Sequence, residues 1–458
     1  MTIEEILSGK YTNEEIISML KKKAFNPPSW SVLSKEYNPV FHPIYEDPNY
    51  RDVVNEDNSI DKVTRICFDL QRLATKRMTE LVFGIPVKRV YHSENEDQQK
   101  AAKIIESIYE RNRIDNVNIE RGNMLFAGCE FMTLWYAVEE KNAIYGVPSD
   151  IKIRCRNFSP MKCDKLYPLF DEFGDYIAMS VEYDVKEGDL TTTYFDTYTK
   201  DKHIKFMLNN GWQKILEETI TIGKNPTLYC VRKTPIWENT SDLVYEMEWA
   251  MSRNGNYLRK NSKPVWVVCA NEEITYGKEQ NQDKEFRSIL QYPAGSTAGY
   301  VTWNQAIDNL KFYIQELRTM FFTQLQLPDW SYDNMKATPM SGEARKQMFI
   351  DAQLKVKDES GRILELLDRE VNVVKAFAKV IVPNLANEID KLQVESIITP
   401  FSINDESETI QNIVTATGGK QIISQRQAIE LLGWSNNAEE TLKQIAEESA
   451  MNNSELAL

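Results

Sequence analysis

A chain of 458 residues, 42% hydrophobic and 27% charged, has the apolar content for two or three domains with sizeable cores, which excludes a wholly disordered protein. Its formal net charge of −14 argues against a protein that grips nucleic acid over a broad basic surface. That balance still allows one past which DNA slides. Six cysteines (Cys67, Cys129, Cys155, Cys163, Cys230, Cys269) are scattered without a C-x-x-C pair, and His42, His92 and His203 lack zinc-finger spacing. Free thiols in a reducing cytoplasm are therefore expected, with no metal and no cofactor. The start, Met1-Thr2-Ile3-Glu4-Glu5, lacks the basic-then-apolar order of a signal peptide, and apolar runs such as 265–270 are too short to cross a bilayer. The sequence thus predicts a soluble intracellular product with no membrane partner.

In chain order, Thr12-Asn13-Glu14-Glu15 is a capping-box pattern ahead of Ile16, Ile17, Met19 and Leu20, predicting a short helix. Residues 26–50, rich in proline and aromatics, read as an extended arm lying on another surface. A helix is expected over 61–83, ending at Gly84 with Pro86 beyond, and helical pattern continues over 97–113 and on to Leu125. From Phe126 the texture changes to β-rich runs at 129–138, 151–155, 176–185, 190–197, 203–208 and 212–216. Asn209-Asn210-Gly211 marks a hairpin, because Asn-Gly accepts the positive φ of a tight turn. Together these runs predict an α+β domain with a mostly antiparallel sheet.

Ser241 and Asp242 are placed to cap a helix bearing Leu243, Met247, Ala250 and Leu258. Short strands are expected at 265–270, 287–292 and 299–302. Trp303, Ile307, Leu310, Ile314, Leu317, Phe321 and Leu325 then recur at steps of four or three, one face of a helix. A proline- and aromatic-rich break covers 327–339. Ser341-Gly342-Glu343-Ala344-Arg345-Lys346 opens a second helix with no proline before Pro383, which at about 1.5 Å per residue would be roughly 60 Å long. Its stripes are Ala344, Met348, Ala352, Val356 and then Ile363, Leu367, Val371, Val374, Ala378, Ile381, with Gly361 between them allowing a bend or a close contact. A strand at 394–399 precedes an acidic helical tail, 404–458, with nine acids and three bases, so 3 − 9 = −6.

The chemical motifs are weak. Gly418-Gly419-Lys420 has Val414 and Gln421 where a phosphate loop needs glycine and Ser or Thr, so it reads as a helix end and turn. Asp405-Glu406-Ser407-Glu408 and Glu439-Glu440 read as solvated helix starts favoured by the dipole. No Ser-His-Asp order and no Gly-x-Ser-x-Gly elbow is present, so no catalytic residue is nominated and an enzyme is not expected. Two segments are candidate sites. Arg253, Arg259, Lys260 and Lys263 form a basic patch that either touches DNA or an acidic partner or is a solvated helix end. Asp329, Trp330, Ser331, Tyr332, Asn334 and Lys336 lie in the break, which reads either as an aromatic-anchored surface loop or as a loop where copies meet, Lys336 reaching phosphates.

These residues resemble the portal proteins of tailed bacteriophages. Thr79-Glu80-Leu81-Val82-Phe83-Gly84-Ile85-Pro86 looks like the family's helix-ending Phe/Leu-Gly-x-Pro segment, and residues 341–346 look like its Ser-Gly-x-Ala-x-Lys spine start. Ile403-Asn404-Asp405-Glu406 with Gly419 and Ile423-Ser424 looks like its acidic stretch and Ile-Ser turn. Arg345 departs from the pattern, standing where an aliphatic residue is frequent. The resemblance implies an α+β portal fold: arm and wing over 1–240, stem helices at 241–262 and 301–327, a clip at 263–300, and a tunnel loop at 328–340. It continues with a spine helix and strand at 341–401 and a crown at 402–458. The resemblance further implies a homo-oligomeric ring, typically of twelve copies, at the portal vertex of the virion, assembled in the host cytoplasm. Double-stranded DNA would pass through it without sequence specificity during packaging and ejection. Implied partners are the terminase large subunit, a head-completion or adaptor protein, and capsid and scaffold proteins. The competing readings are another phage head–tail structural or adaptor protein, and a carboxylate-dependent nuclease or hydrolase.

Overall fold

The computed structural model describes residues 3–7, 9–261, 265–269, 297–301, 307–329 and 350–400, and in the C-terminal region 410, 413–415, 417, 424–432 and 441–447. Near the N-terminus, the Thr12 backbone N–H donates to the Glu15 carboxylate at 2.8 Å while the Thr12 side chain accepts from the Glu15 N–H, a reciprocal cap that starts helix α1 (Asn13–Leu20). The apolar face of α1, Ile16, Ile17 and Leu20, is buried against Phe195, Ile204 and Phe206. The proline-rich stretch expected to be an extended arm instead folds into helix α2 (Trp30–Tyr37), a 3₁₀ turn (Pro39–Phe41) and a helical turn (Pro43–Glu46). Pro39 and Pro43 open those turns, where a missing N–H removes no helical hydrogen bond.

A second correction follows immediately. The helix expected over 61–83 begins only at Leu70 (α3, Leu70–Phe83), and residues 62–69 form neither helix nor strand. Next come strand β1 (Lys88–His92) and helices α4 (Glu96–Arg111) and α5 (Ile114–Gly128), the last two separated by Arg113 in the left-handed region at φ 49°. The expected β region follows with two strands the pattern did not indicate, 165–170 and 227–231. Strands β2 (Glu130–Asn142), β3 (Ser149–Phe158) and β9 (Thr227–Val231) form an antiparallel sheet in the order β9-β2-β3. Strands β4 (Lys165–Phe170), β5 (Tyr176–Glu187), β6 (Leu190–Tyr198), β7 (Lys202–Leu208) and β8 (Trp212–Thr219) form a five-stranded antiparallel meander. Pro168 conceals β4 in the sequence and is tolerated because β4 is an edge strand. The hairpin between β7 and β8 turns at Asn210 and Gly211, both with positive φ, as expected.

The remaining elements brace this body. Helices α6 (Ser241–Asn261) and α7 (Ile307–Leu325) pack side by side, and past α6 a two-stranded ladder joins β10 (Val265–Cys269) to β11 (Thr297–Val301). The expected strand at 287–292 and the motif at 341–346 lie outside the described residues. Helix α8 (Ile350–Ile381) is described for 32 residues, about 48 Å of axis. It runs through Gly361, and no atom lies within 4 Å of where a Cβ would stand, so that glycine serves no close contact. The α8 stripe Ala352, Val356, Ile363, Leu367, Val374 and Ala378 joins α3, α4, α5 and β2 in the main core. Strand β12 (Gln393–Ile397) pairs with β1. A reciprocal Ser424–Gln427 cap starts the tail helix α9 (Gln425–Leu432).

Candidate functional site: a helix pair and the root of the loop beyond it

Helix α6 carries a polar stripe at four-residue spacing, Glu248, Ser252 and Asn256, and each side chain takes one backbone N–H of the segment 62–69. Phe68 donates to Glu248 Oε1 at 2.8 Å, Ile66 to Ser252 Oγ at 2.8 Å, and Thr64 to Asn256 Oδ1 at 2.6 Å. Four helical residues advance about 6 Å and two extended residues about 6.6 Å, so the two chains stay in step while running in opposite directions. This ladder explains why 62–69 is not helical: its N–H groups are committed to α6. Gly255 permits the close approach, since a Cβ there would stand 2.8 Å from Thr64 Cγ2. Asn256 also donates to the Tyr50 hydroxyl at 2.5 Å, and Tyr50 meets Trp249 edge-on at 5.0 Å.

The basic patch is distributed over this ladder. Arg259 donates to the Lys62 carbonyl at 2.6 Å, which extends the ladder by one step. Arg253 lies over the Trp249 ring at 5.2 Å. The backbone of Lys260 belongs to the last turn of α6, while its side chain and all of Lys263 lie outside the described residues.

At the other helix, Leu317, Phe321, Phe322 and Leu325 are buried and α7 ends in a Schellman turn. Leu327 donates to the Phe322 carbonyl and Gln326 to that of Thr323, both at 3.0 Å, with Gln326 left-handed at φ 54°. Immediately beyond, Arg318 holds Asp329 through Nε–Oδ2 at 2.8 Å and Nη2–Oδ1 at 3.1 Å. Arg77 of α3 donates to the Pro328 carbonyl at 2.8 Å, reaches Asp329 Oδ1 at 3.5 Å and lies over the Phe322 ring at 4.6 Å. Burial lowers the Arg77 pKa, opposed by the charge of Asp329. Of the loop residues nominated from the sequence, Asp329 is thus the anchored root; Trp330, Ser331, Tyr332, Asn334 and Lys336 lie outside the described residues.

Sequence patterns missed a buried polar hub that ties the body to α8. Glu370, fully buried, accepts from Arg121 Nη2 at 2.5 Å and from Trp135 Nε1 at 3.2 Å, and faces Arg89 at 3.6 Å. Arg121 also donates to Thr133 and Asn118, so its fork is satisfied on three sides. Burial lowers the Arg121 pKa, but the Glu370 charge and hydrogen bond outweigh it, and the net direction is upward. A signal existed: Glu370 stands three residues after Leu367 and four before Val374, on the buried stripe. Such a hub sets the pose of α8 and has no reacting group to activate.

A family model described as "Phage portal protein, SPP1 Gp6-like" matches residues 33–455. No curated protein matches the chain. Among solved structures, a chain of "Virion of native gene transfer agent (GTA) particle" aligns at 10% identity and TM-score 0.39, over 93% of this chain and 100% of that chain. A chain of "Neck of native GTA particle computed with C12 symmetry" aligns at 10% identity and TM-score 0.41, over 92% and 99%. Likenesses at this level bear on neither function nor assembly. The family match is of another order, because it runs from within α2 through both sheets, the helix pair and α8. The protein belongs to the phage portal protein family, SPP1 Gp6-like.

Proposed function

We propose that copies of this chain close into a ring, twelve on the family resemblance, whose central channel passes double-stranded DNA into and out of a phage head. The family match over residues 33–455 carries this reading. On it, helices α6 and α7 are the stem, residues 263–300 the clip that meets the terminase large subunit and later a head-completion or adaptor protein, and the sheets with α8 the wing. Residues 328–340 become a tunnel loop anchored at Asp329, and 402–458 a crown. The ring would sit at the portal vertex of the virion, among capsid and scaffold proteins, after assembly in the host cytoplasm.

Two physical features support the reading. A closed cyclic assembly needs two different complementary faces on each copy. The helix pair alone leaves Tyr257, Leu258, Phe312, Tyr313 and Met320 each at least 43% exposed, apolar area that neighbouring copies would cover. The net charge of −14 suits a wall that repels phosphates and so does not trap them. Negative-stain images of the purified chain should show rings with a central hole. A monomer or dimer at micromolar concentration across several salt conditions would defeat the proposal. Deleting residues 330–336 should leave rings intact and impair packaging; unimpaired packaging would remove the role given to the loop.

A further inference from the structure

Three side chains distant in sequence converge where the proline-rich turns, the segment 62–69 and α6 meet. The ligand atoms of His42, Cys67 and Glu248 lie within 4.8 Å of one another. His42 and Glu248 are completely buried. His42 Nε2 lies 2.9 Å from the Glu36 carbonyl, which only accepts, so Nε2 carries the proton and Nδ1 is the atom that faces the cluster. Glu248 Oε1 faces His42 Nδ1 at 2.7 Å and accepts from Phe68, whereas its Oε2 is buried without a hydrogen-bond partner. A buried carboxylate oxygen left without a partner costs free energy and asks for a cation or a donor.

We propose that His42 Nδ1, Cys67 Sγ and a Glu248 carboxylate oxygen form a three-ligand site for a zinc-class divalent ion, with the fourth position open to water. Thiolate, imidazole and carboxylate together are the donor set of zinc and of cobalt used in its place, and the thiolate disfavours magnesium and calcium. The Nε2 bond to a backbone carbonyl is the outer contact that fixes the tautomer of a histidine ligand. Tetrahedral bonds of about 2.0–2.3 Å place ligand atoms roughly 3.3–3.6 Å apart, within reach of small side-chain rotations from the present separations. Charge balances as well. Before binding, an imidazolium, a carboxylate and a thiol sum to zero. Afterwards a divalent ion, a thiolate, a carboxylate and a neutral imidazole sum to zero, the Cys67 Sγ proton and the His42 Nδ1 proton having left to solvent. The ion would staple the segments at 42 and 67 to the start of the α6 ladder, and its binding does not depend on ring formation.

The test uses the full chain, purified without chelator or histidine tag. Incubated with cobalt(II) and desalted, it should retain one ion per chain by elemental analysis and show thiolate-to-cobalt charge-transfer absorption in the near ultraviolet. Cys67→Ser should abolish that absorption, while Cys163→Ser and Cys269→Ser, at exposed thiols, should leave it unchanged. A measurement on the unmodified chain guards against misfolding of the variant: zinc should protect Cys67 from alkylation, located by peptide mass spectrometry. Absence of the absorption, its loss with Cys163 or Cys269 instead of Cys67, or alkylation of Cys67 at an unchanged rate under zinc would overturn the proposal.

Discussion

Arg318 grips Asp329 with two parallel contacts, Nε to Oδ2 at 2.8 Å and Nη2 to Oδ1 at 3.1 Å, across the turn that ends α7. Arg77 reaches the same carboxylate from α3 with its own side chain only 9% exposed. The two arginines differ in what losing the partner costs. Asp329→Ala should destabilise the chain by about 1–3 kcal/mol, because it removes a carboxylate from beside the buried Arg77. Arg318→Ala removes a largely exposed partner and should cost roughly 0.2–1 kcal/mol. Urea unfolding of both variants decides the matter, and equal effects would show that Arg77 gains little from Asp329.

Gln326 occupies the left-handed position of the α7 Schellman turn, where a Cβ costs about 1–2 kcal/mol. Gln326→Gly should therefore raise the thermal midpoint, and Gln326→Val should lower it. A Gly variant no more stable than the parent would mean that the Gln side chain supplies a compensating contact.

Glu370 and Arg121 are a buried pair in which each charge depends on the other. Removing only Glu370 by substitution to Ala should cost about 3–5 kcal/mol. The double change Arg121→Met with Glu370→Leu should recover part of that loss, since it removes both charges of the hydrogen-bonded pair and leaves only Arg89 without Glu370. If the double variant is as unstable as the single one, the Arg121 charge is not what Glu370 offsets, and packing or the partnering of Arg89 accounts for its contribution.

His203 lies 2.7 Å from Glu218 and 3.7 Å from Asp196, stacked on Tyr198 at 4.4 Å. Burial opposes its charge, but the two carboxylates outweigh burial and its pKa is raised. A raised folded-state pKa means stability that is full below the unfolded value, about 6.5, and is lost as pH rises through the folded value. Thermal midpoints measured from about pH 6 to 9 should fall through that window in the parent and fall less in His203→Gln. Parallel pH profiles for the two proteins would assign the effect elsewhere.

Much of the architecture is local and was legible. The cap at Thr12, the Asn210-Gly211 hairpin and the stripe along α8 each depend on residues a few positions apart, so the pattern alone determines them. The order of these elements, with the portal-like motifs, also pointed to the family. Tertiary structure decided the rest. The segment 62–69 has helical sequence yet is not helical, because α6 side chains some 190 residues away claim its N–H groups. Glu370 falls on the buried stripe of α8 in the sequence, but its partner Arg121, 249 positions distant, is supplied only by the fold. His42, Cys67 and Glu248 show no ligand spacing in the chain, since the separation of 206 positions between His42 and Glu248 is closed only by the fold. Propensity and spacing act over a turn or two of chain, whereas burial, and with it the value of a charge or an unmade hydrogen bond, is settled by whatever the fold brings alongside.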